Sequence, residues 1–229
     1  MKYFILSIFV LFSLKGIAQS NLNYNHFFKF KFNYSFSIDN QEINELLAED
    51  YLIKEHALGF EYNQSVINFC KDRYTLSLSI FYDGSSYKST NFSTSFFSFF
   101  STFDLMYHFK YKKVIISPFC GLGNTFSMLK LFHNPNNQPL LLNNVFQLNN
   151  VKYLTFFQNS NFLLSSGIEF EYMINEKSSI GLFSRYKFKF GNEEVYLFNS
   201  KSVVTDFPPF DIYHFTIGMG YTFYTNRWN

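Results

Sequence analysis

Between Phe28 and Ile38 the chain alternates without a break. Phe28, Phe30, Phe32, Tyr34, Phe36 and Ile38 share one parity; Lys29, Lys31, Asn33, Ser35 and Ser37 share the other. A helix of 3.6 residues per turn would scatter both sets around its axis, whereas a strand sends them to opposite faces. The pattern therefore demands a sheet with one apolar and one polar face.

Seven later stretches repeat the period. Near 57–66, Leu58, Phe60 and Tyr62 oppose Gly59, Glu61 and Asn63; near 74–82, Leu76, Leu78 and Ile80 oppose Thr75, Ser77 and Ser79. Near 96–110, Phe97, Phe99, Phe103 and Leu105 oppose Ser98, Thr102, Asp104, His108 and Lys110; near 114–129, Leu122, Phe126 and Met128 oppose Gly121, Gly123, Thr125 and Ser127. Near 162–172, Ile168, Phe170 and Tyr172 oppose Gly167, Glu169 and Glu171; near 180–190, Leu182, Tyr186 and Phe188 oppose Gly181, Arg185, Lys187 and Lys189. Near 212–223, Phe215, Ile217 and Met219 oppose His214, Thr216, Gly218 and Gly220. The expected architecture is all-β, an antiparallel up-and-down barrel of eight strands.

Which face points outward is decided by volume. A lipocalin-like barrel would put the apolar face inside, around a ligand. The lumen of eight strands has room for modest side chains or one small ligand. The chain carries 34 Phe and 17 Tyr, and the apolar parity alone would overfill that space. The polar parity, mostly Gly, Ser and Thr with a limited set of charges, fits. The expected lumen is a polar network of Lys29, Lys31, Glu61, Asp104, His108, Glu169, Glu171, Arg185, Lys187, Lys189 and His214, with Lys110 also facing inward. Glu169 and Glu171 are expected to pair with Arg185 and Lys187 on the neighbouring strand. The apolar parity then faces lipid, as in a transmembrane barrel.

The start of the chain fits that destination. Met1-Lys2 precedes an apolar run, Tyr3–Leu14, and then Gly16 and Ala18 at small-x-small spacing before Gln19. This is a signal-peptide layout, with residues 1–18 removed and 19–229 forming the barrel domain. The run is too short to span a bilayer as a helix, which needs about 20 residues. Losing Lys2 and Lys15 leaves 17 basic against 17 acidic residues, so no polycation for nucleic acid remains. Connections of about 67–73, 111–113 and 173–179 are short; those of about 39–56, 83–95, 130–161 and 191–211 are mostly longer. Short turns at one end and long loops at the other are the outer-membrane layout, with both termini at the short-turn, periplasmic end.

Together with the leader and the eight strands, Phe103-Asp104-Leu105-Met106-Tyr107-His108-Phe109-Lys110, the tight turn after it, Pro118-Phe119-Cys120-Gly121-Leu122-Gly123 and the closing Gly218-Met219-Gly220-Tyr221-Thr222-Phe223 resemble the outer-membrane β-barrel domain of the PorT-like, porin-family type. The resemblance covers nearly all of residues 19–229. It implies a small Gram-negative outer-membrane barrel, in one case an accessory of a protein-secretion system.

Candidate chemistry is sparse. Asp104 and His108, four apart on one strand face, stand about 13 Å apart at strand rise and cannot form a dyad. Asp104, His108 and His214 could meet across the lumen, which keeps an envelope-lipid-modifying enzyme as an alternative beside a polar plug. A small-solute pore is the other alternative. His26, His56 and His133 lack metal-pair spacing, and no metal or cofactor is expected. Cys70 and Cys120 lie too far apart for a disulfide. Pro118, lacking an N–H, is expected to mark a bulge. The acidic stretch 39–56 could hold a short surface helix. The apolar segments Leu140–Leu142 and Val151–Phe157 could extend strands, form another hairpin or meet a partner, and Phe207–Phe210 is a further aromatic patch. The expected role is structural or accessory and non-enzymatic. Expected partners are outer-membrane lipid and envelope or secretion-system proteins, around a monomeric barrel.

Overall fold

The structure, a computed structural model, describes residues 26–36, 56–69, 73–88, 92–133, 140–142, 146–148, 153–190, 194–197 and 213–225. The leader, nearly all of the acidic stretch, Cys70 and Phe207–Phe210 lie outside the described residues. The strands are β1 (Phe27–Phe36), β2 (His56–Phe69), β3 (Tyr74–Lys88), β4 (Phe92–Tyr107), β5 (Phe109–Tyr111), β6 (Val114–His133), β7 (Leu140–Leu142), β8 (Phe146–Leu148), β9 (Tyr153–Asn175), β10 (Ser178–Phe190), β11 (Glu194–Leu197) and β12 (Phe215–Tyr224). Eight of them close a ring in the order β1-β2-β3-β4-β6-β9-β10-β12, and β12 returns to β1. Every pairing in the ring is antiparallel. β5 prolongs β4 along β6, β11 adds to the upper part of β9, and β7 pairs with β8 as a separate hairpin. Closure removes the open edges of the sheet, which matters where no water is available to satisfy backbone groups.

The side chains take the inverted arrangement expected from the volume argument. Phe32 and Leu58 are 68% and 70% exposed on the outer wall, while Lys29, Glu61, Asp104 and Arg185 are buried inside it. Tyrosines and phenylalanines ring the short-turn end: Phe69 stacks on Tyr74, and Tyr74 and Phe109 both meet Tyr107 edge-on. Such girdles sit at the two interfaces of a membrane-spanning barrel.

Several boundaries differ from the sequence reading. β3 runs to Lys88 and β4 starts at Phe92, so the expected 83–95 loop is mostly strand. β6 and β9 continue well past their expected ends, and Leu140–Leu142 pairs with Phe146–Leu148, so the 130–161 stretch both extends the wall and forms an extra hairpin. The phase of β9 changes in the middle. Leu163, Ser165, Glu169 and Glu171 are buried below the change and Leu154, Phe156 and Gln158 above it. The cause is one extra residue in β9 between the pairs Gly123↔Leu163 and Thr125↔Ser160, a bulge that re-phases the strand. Pro118 marks no bulge. β6 keeps its register against β4 and β5 there; the ladder merely breaks at His108, whose N–H donates to Arg73 O at 2.8 Å instead. Lys110 is exposed at the short-turn rim, not inward, because β5 lies beyond the end of the lumen.

Inward glycines make room for the large groups. A Cβ on Gly121 would overlap Asp104 Oδ1 and lie 2.8 Å from Phe103 O; one on Gly59 would overlap Asp83 Oδ1. The Asp104 carboxylate is held by several partners and cannot swing away, and a backbone oxygen cannot either. Gly121→Ala is therefore expected to destabilise the barrel by about 1–3 kcal/mol, as overpacking of a filled core does. Urea unfolding in lipid vesicles, followed by circular dichroism and by the shift of the unboiled protein on a gel, measures this; an unchanged midpoint would contradict the packing described.

Candidate functional site

The fold gathers its charge in the lumen, and the groups there lie in three tiers. At the short-turn end sits an apolar cluster of Phe27, Met106, Ile115, Phe119, Met173 and Tyr224. Above it lies the ionic tier. Farther up, Phe81, Phe100 and Leu163 form a second apolar cluster, capped by Tyr213, which is fully buried, meets Phe96 edge-on and donates to Ser85 Oγ at 2.6 Å.

β1 sends Lys29 and Lys31 inward, and β9 sends Glu169 and Glu171. Lys29 Nζ donates to Glu169 Oε2 at 2.5 Å and to Glu171 Oε1 at 2.6 Å. Lys31 Nζ donates to Glu61 Oε1 at 3.0 Å and forms a close pair with Glu169. Glu171 also accepts from Ser179, from Thr222 at 2.8 Å and from Tyr224 at 2.9 Å. A carboxylate with so many donors has its lone pairs filled, the condition for holding a buried charge.

Arg185 on β10 is the hub. Nη2 donates to Glu61 Oε1 and Asp104 Oδ2, both at 2.9 Å, and Nη1 donates to Ser165 Oγ at 3.0 Å. The guanidinium lies between two phenyl rings, 4.7 Å from the Phe81 centroid and 4.5 Å from that of Phe119. This uses both properties that separate arginine from lysine, the planar fork and the stacking face. Lys187, fully buried, pairs with Asp83, which also accepts from Asn33 Nδ2 at 2.6 Å and Ser35 Oγ at 3.0 Å. Its ammonium lies 4.4 Å from the Phe100 centroid.

These contacts correct the expected pairing. Glu169 and Glu171 meet lysines of β1 across the lumen, not Arg185 and Lys187. The register explains why: on β10 their direct neighbours are Phe183 and Gly181, while Arg185 faces Gly167. Lys29, Lys31, Glu61, Asp104, Glu169, Glu171, Arg185 and Lys187 come together. Lys189 does not join them; it is half-buried near the upper mouth. His214 does not either. Its ring stacks on Tyr186, an outward residue, and Nδ1 bonds to Lys187 O at 2.9 Å. β12 starts at Phe215; Lys187 N–H still donates to His214 O at 2.7 Å, but the ring turns to Tyr186 and not to the ion pairs.

His108 occupies the lower lumen, apart from Asp104. Its Nδ1 is hydrogen-bonded with Ser117 Oγ at 2.8 Å and its Nε2 with Thr75 Oγ1 at 2.9 Å, in a buried setting. Both nitrogens are occupied by hydroxyls, and the Asp104–His108–His214 assembly of a triad is not formed. Among the described residues no group of His, Cys, Asp or Glu could hold a metal ion. Cys120 is a free, exposed thiol on the outer wall.

Two features of the core escape the sequence reading. Asp83 lies just past the segment ending at 82, in a stretch that reads as loop, although it keeps the inward parity of Ser77 and Ser79. Phe27, Phe81, Phe100, Phe119 and Phe183 stand on the polar parity. An aromatic ring on a polar row among lysines is the available signal for a cation–π core.

The ionic tier makes a prediction about pairs. Asp83→Ala alone leaves Lys187 buried without its ion-pair partner, and is expected to cost about 3–5 kcal/mol. Asp83→Leu combined with Lys187→Met removes both charges and is expected to return to within about 1 kcal/mol of the parent protein, since apolar replacements of buried pairs are often neutral. Urea midpoints of the single and double variants in vesicles decide; additive losses would mean that the two side chains do not interact.

The likeness to solved structures is one of fold. No family model matches the sequence, and no curated protein matches it. Among solved structures, the attachment invasion locus protein Ail of Yersinia pestis superposes with a TM-score of 0.52 at 10% identity, over 89% of this chain and 99% of that one. A major outer membrane protein from Thermus thermophilus superposes with a TM-score of 0.51 at 12% identity, over 87% of this chain and 98% of that one. The chain thus has the fold of a small closed barrel in company with these two.

Proposed function

We propose that this chain is a non-enzymatic outer-membrane barrel of a Gram-negative envelope, with a structural or accessory role carried out at its loop end. One observation carries the reading. The barrel is inverted, with rings and aliphatic chains outside and an ion-paired core inside. In water the outer wall would be an apolar patch far beyond what soluble proteins expose; in lipid it is the required surface. The fold shared with a major outer membrane protein and the signal-peptide layout of residues 1–18 support the same address.

The core speaks against the pore alternative. Two apolar clusters and Tyr213 alternate with interlocked ion pairs along the lumen, and the buried charges hold one another. The enzyme alternative finds less support, because among the described residues Asp104, His108 and His214 do not come together. Among the described residues, the tall wall of β4, β6, β9 and β11 is a surface available to a partner. On its outer face the rings of Phe126, Phe157 and Tyr196 stand in a row, at 6.1 and 5.2 Å between centroids. A rigid wall bearing aromatic anchors suits a protein partner. An accessory role in protein secretion, which the PorT-like resemblance implies, is compatible with such a wall.

Three measurements test the proposal. Fractionation is expected to place the tagged protein in the outer membrane, and its recovery in the periplasm would refute the membrane reading. Reconstituted in planar bilayers, the protein is expected to show no steady conductance; discrete channel openings would restore the pore. A photo-crosslinker placed at Tyr196 is expected to trap one defined envelope protein.

A further inference from the structure

The short-turn end carries a charge that the lumen does not absorb. Its turns present Arg73, Lys110, Lys112, Lys113 and Lys177, all exposed, and Glu176 is the single acid among the described residues of these turns. The turns form one continuous rim. His108 N–H donates to Arg73 O, Met173 N–H to Lys113 O and Tyr224 N–H to Lys177 O, each at 2.8 Å. The cations are thus strung along an arc on a rigid frame.

Directly beside them lies the aromatic girdle. Lys112 Nζ is 5.5 Å from the ring centroid of Tyr111 and Lys113 Nζ is 5.9 Å from that of Tyr172. Tyr111 and Tyr172 are 72% and 51% exposed. Exposed tyrosines at the end of an apolar belt mark the level of the lipid headgroups. Amines held at that level beside the rings stand where headgroup phosphates lie. Lys112 keeps its place at a φ of 52°, a left-handed conformation that a lysine rarely adopts and that the tight two-residue turn imposes.

We propose that this arc of cations and tyrosines is a binding collar for anionic phospholipid headgroups in the leaflet facing the short turns. The inference rests on the membrane-barrel reading above. The occupant follows from charge complementarity and depth: five exposed positive charges against one acid among the described residues of the turns, and aromatic neighbours at the interface. Basic residues at a membrane surface attract anionic lipid, and the attraction fades beyond a Debye length.

The test uses the full mature chain reconstituted in phosphatidylcholine bilayers with a small fraction of spin-labelled lipid. Electron spin resonance then reads the motionally restricted, protein-bound fraction. Spin-labelled phosphatidylglycerol is expected to associate about fivefold more strongly than spin-labelled phosphatidylcholine. In about 1 M salt, where the Debye length is about 3 Å, the preference is expected to fall toward one. The variant Arg73→Gln/Lys110→Gln/Lys112→Gln/Lys113→Gln is expected to lose the preference in low salt, with the gel shift of the unboiled protein confirming that it folds. Equal association of both lipids with the parent protein, or a preference that survives in the folded variant, overturns the collar. If the variant does not fold, the salt series on the parent protein still decides. Failure to insert into the bilayer, seen by flotation, would instead overturn the membrane reading on which the collar stands.

Discussion

The constraint on which this molecule depends is that charge has only one place to go. An outer wall made of phenylalanine, leucine and isoleucine leaves no water along the middle of the barrel, so the charges at that level must be answered from inside. Eight strands enclose a space too narrow for a hydration shell around each charge. The groups therefore answer one another. Arg185 joins β10 to β2 and β4 through Glu61 and Asp104, Lys29 and Lys31 join β1 to β9, and Lys187 joins β10 to β3. Glycines such as Gly59 and Gly121 are the counterpart: each vacates the volume that a neighbouring carboxylate fills.

Much of this is legible in the chain because the strand period is a direct image of the wall. The Phe28–Ile38 run reads as alternation, and the register of β1 keeps Lys29, Lys31 and Asn33 inside along its whole length. The volume argument then separates inside from outside without any structure. What it cannot supply is which inward charge meets which, because that depends on the stagger between strands. Glu169 and Arg185 sit on adjacent strands, and adjacency suggests a pair, but the stagger sets Glu169 opposite Phe183 and hands it to β1. His214 fails for a related reason. Its parity is counted from a strand that starts one residue later.

The strand ends are the least legible part. A short polar stretch such as Asp83-Gly84-Ser85-Ser86 reads as a turn, yet it pairs with Ser98, Phe97, Phe96 and Ser95 as regular ladder. Those strands have left the belt, so their outer face need not be apolar and the alternation weakens where the wall rises above it. The bulge in β9 hides the continuity further, since it exchanges the two parities within one strand. A tall wall, a re-phased strand and an added β11 are thus one feature: a scaffold carried past the membrane level, where a partner could reach it.

The ionic tier also solves a problem that the hydrophobic pattern cannot. Alternation fixes parity, because a slip of one residue would turn every phenylalanine inward. A slip of two residues keeps parity intact and costs little on a wall as repetitive as Phe28-x-Phe30-x-Phe32. Inside the lumen the same slip is expensive. It would carry Lys31 past Glu61 and Glu169, set Arg185 out of line with Asp104, and drive side chains into the spaces that Gly59 and Gly121 keep open. Buried charges left without partners cost several kcal/mol each. The lipid-facing residues therefore choose the face, and the ion pairs with their glycines choose the register. That division explains why a barrel whose lumen is filled would still keep a buried arginine, three buried lysines and five buried carboxylates in its core.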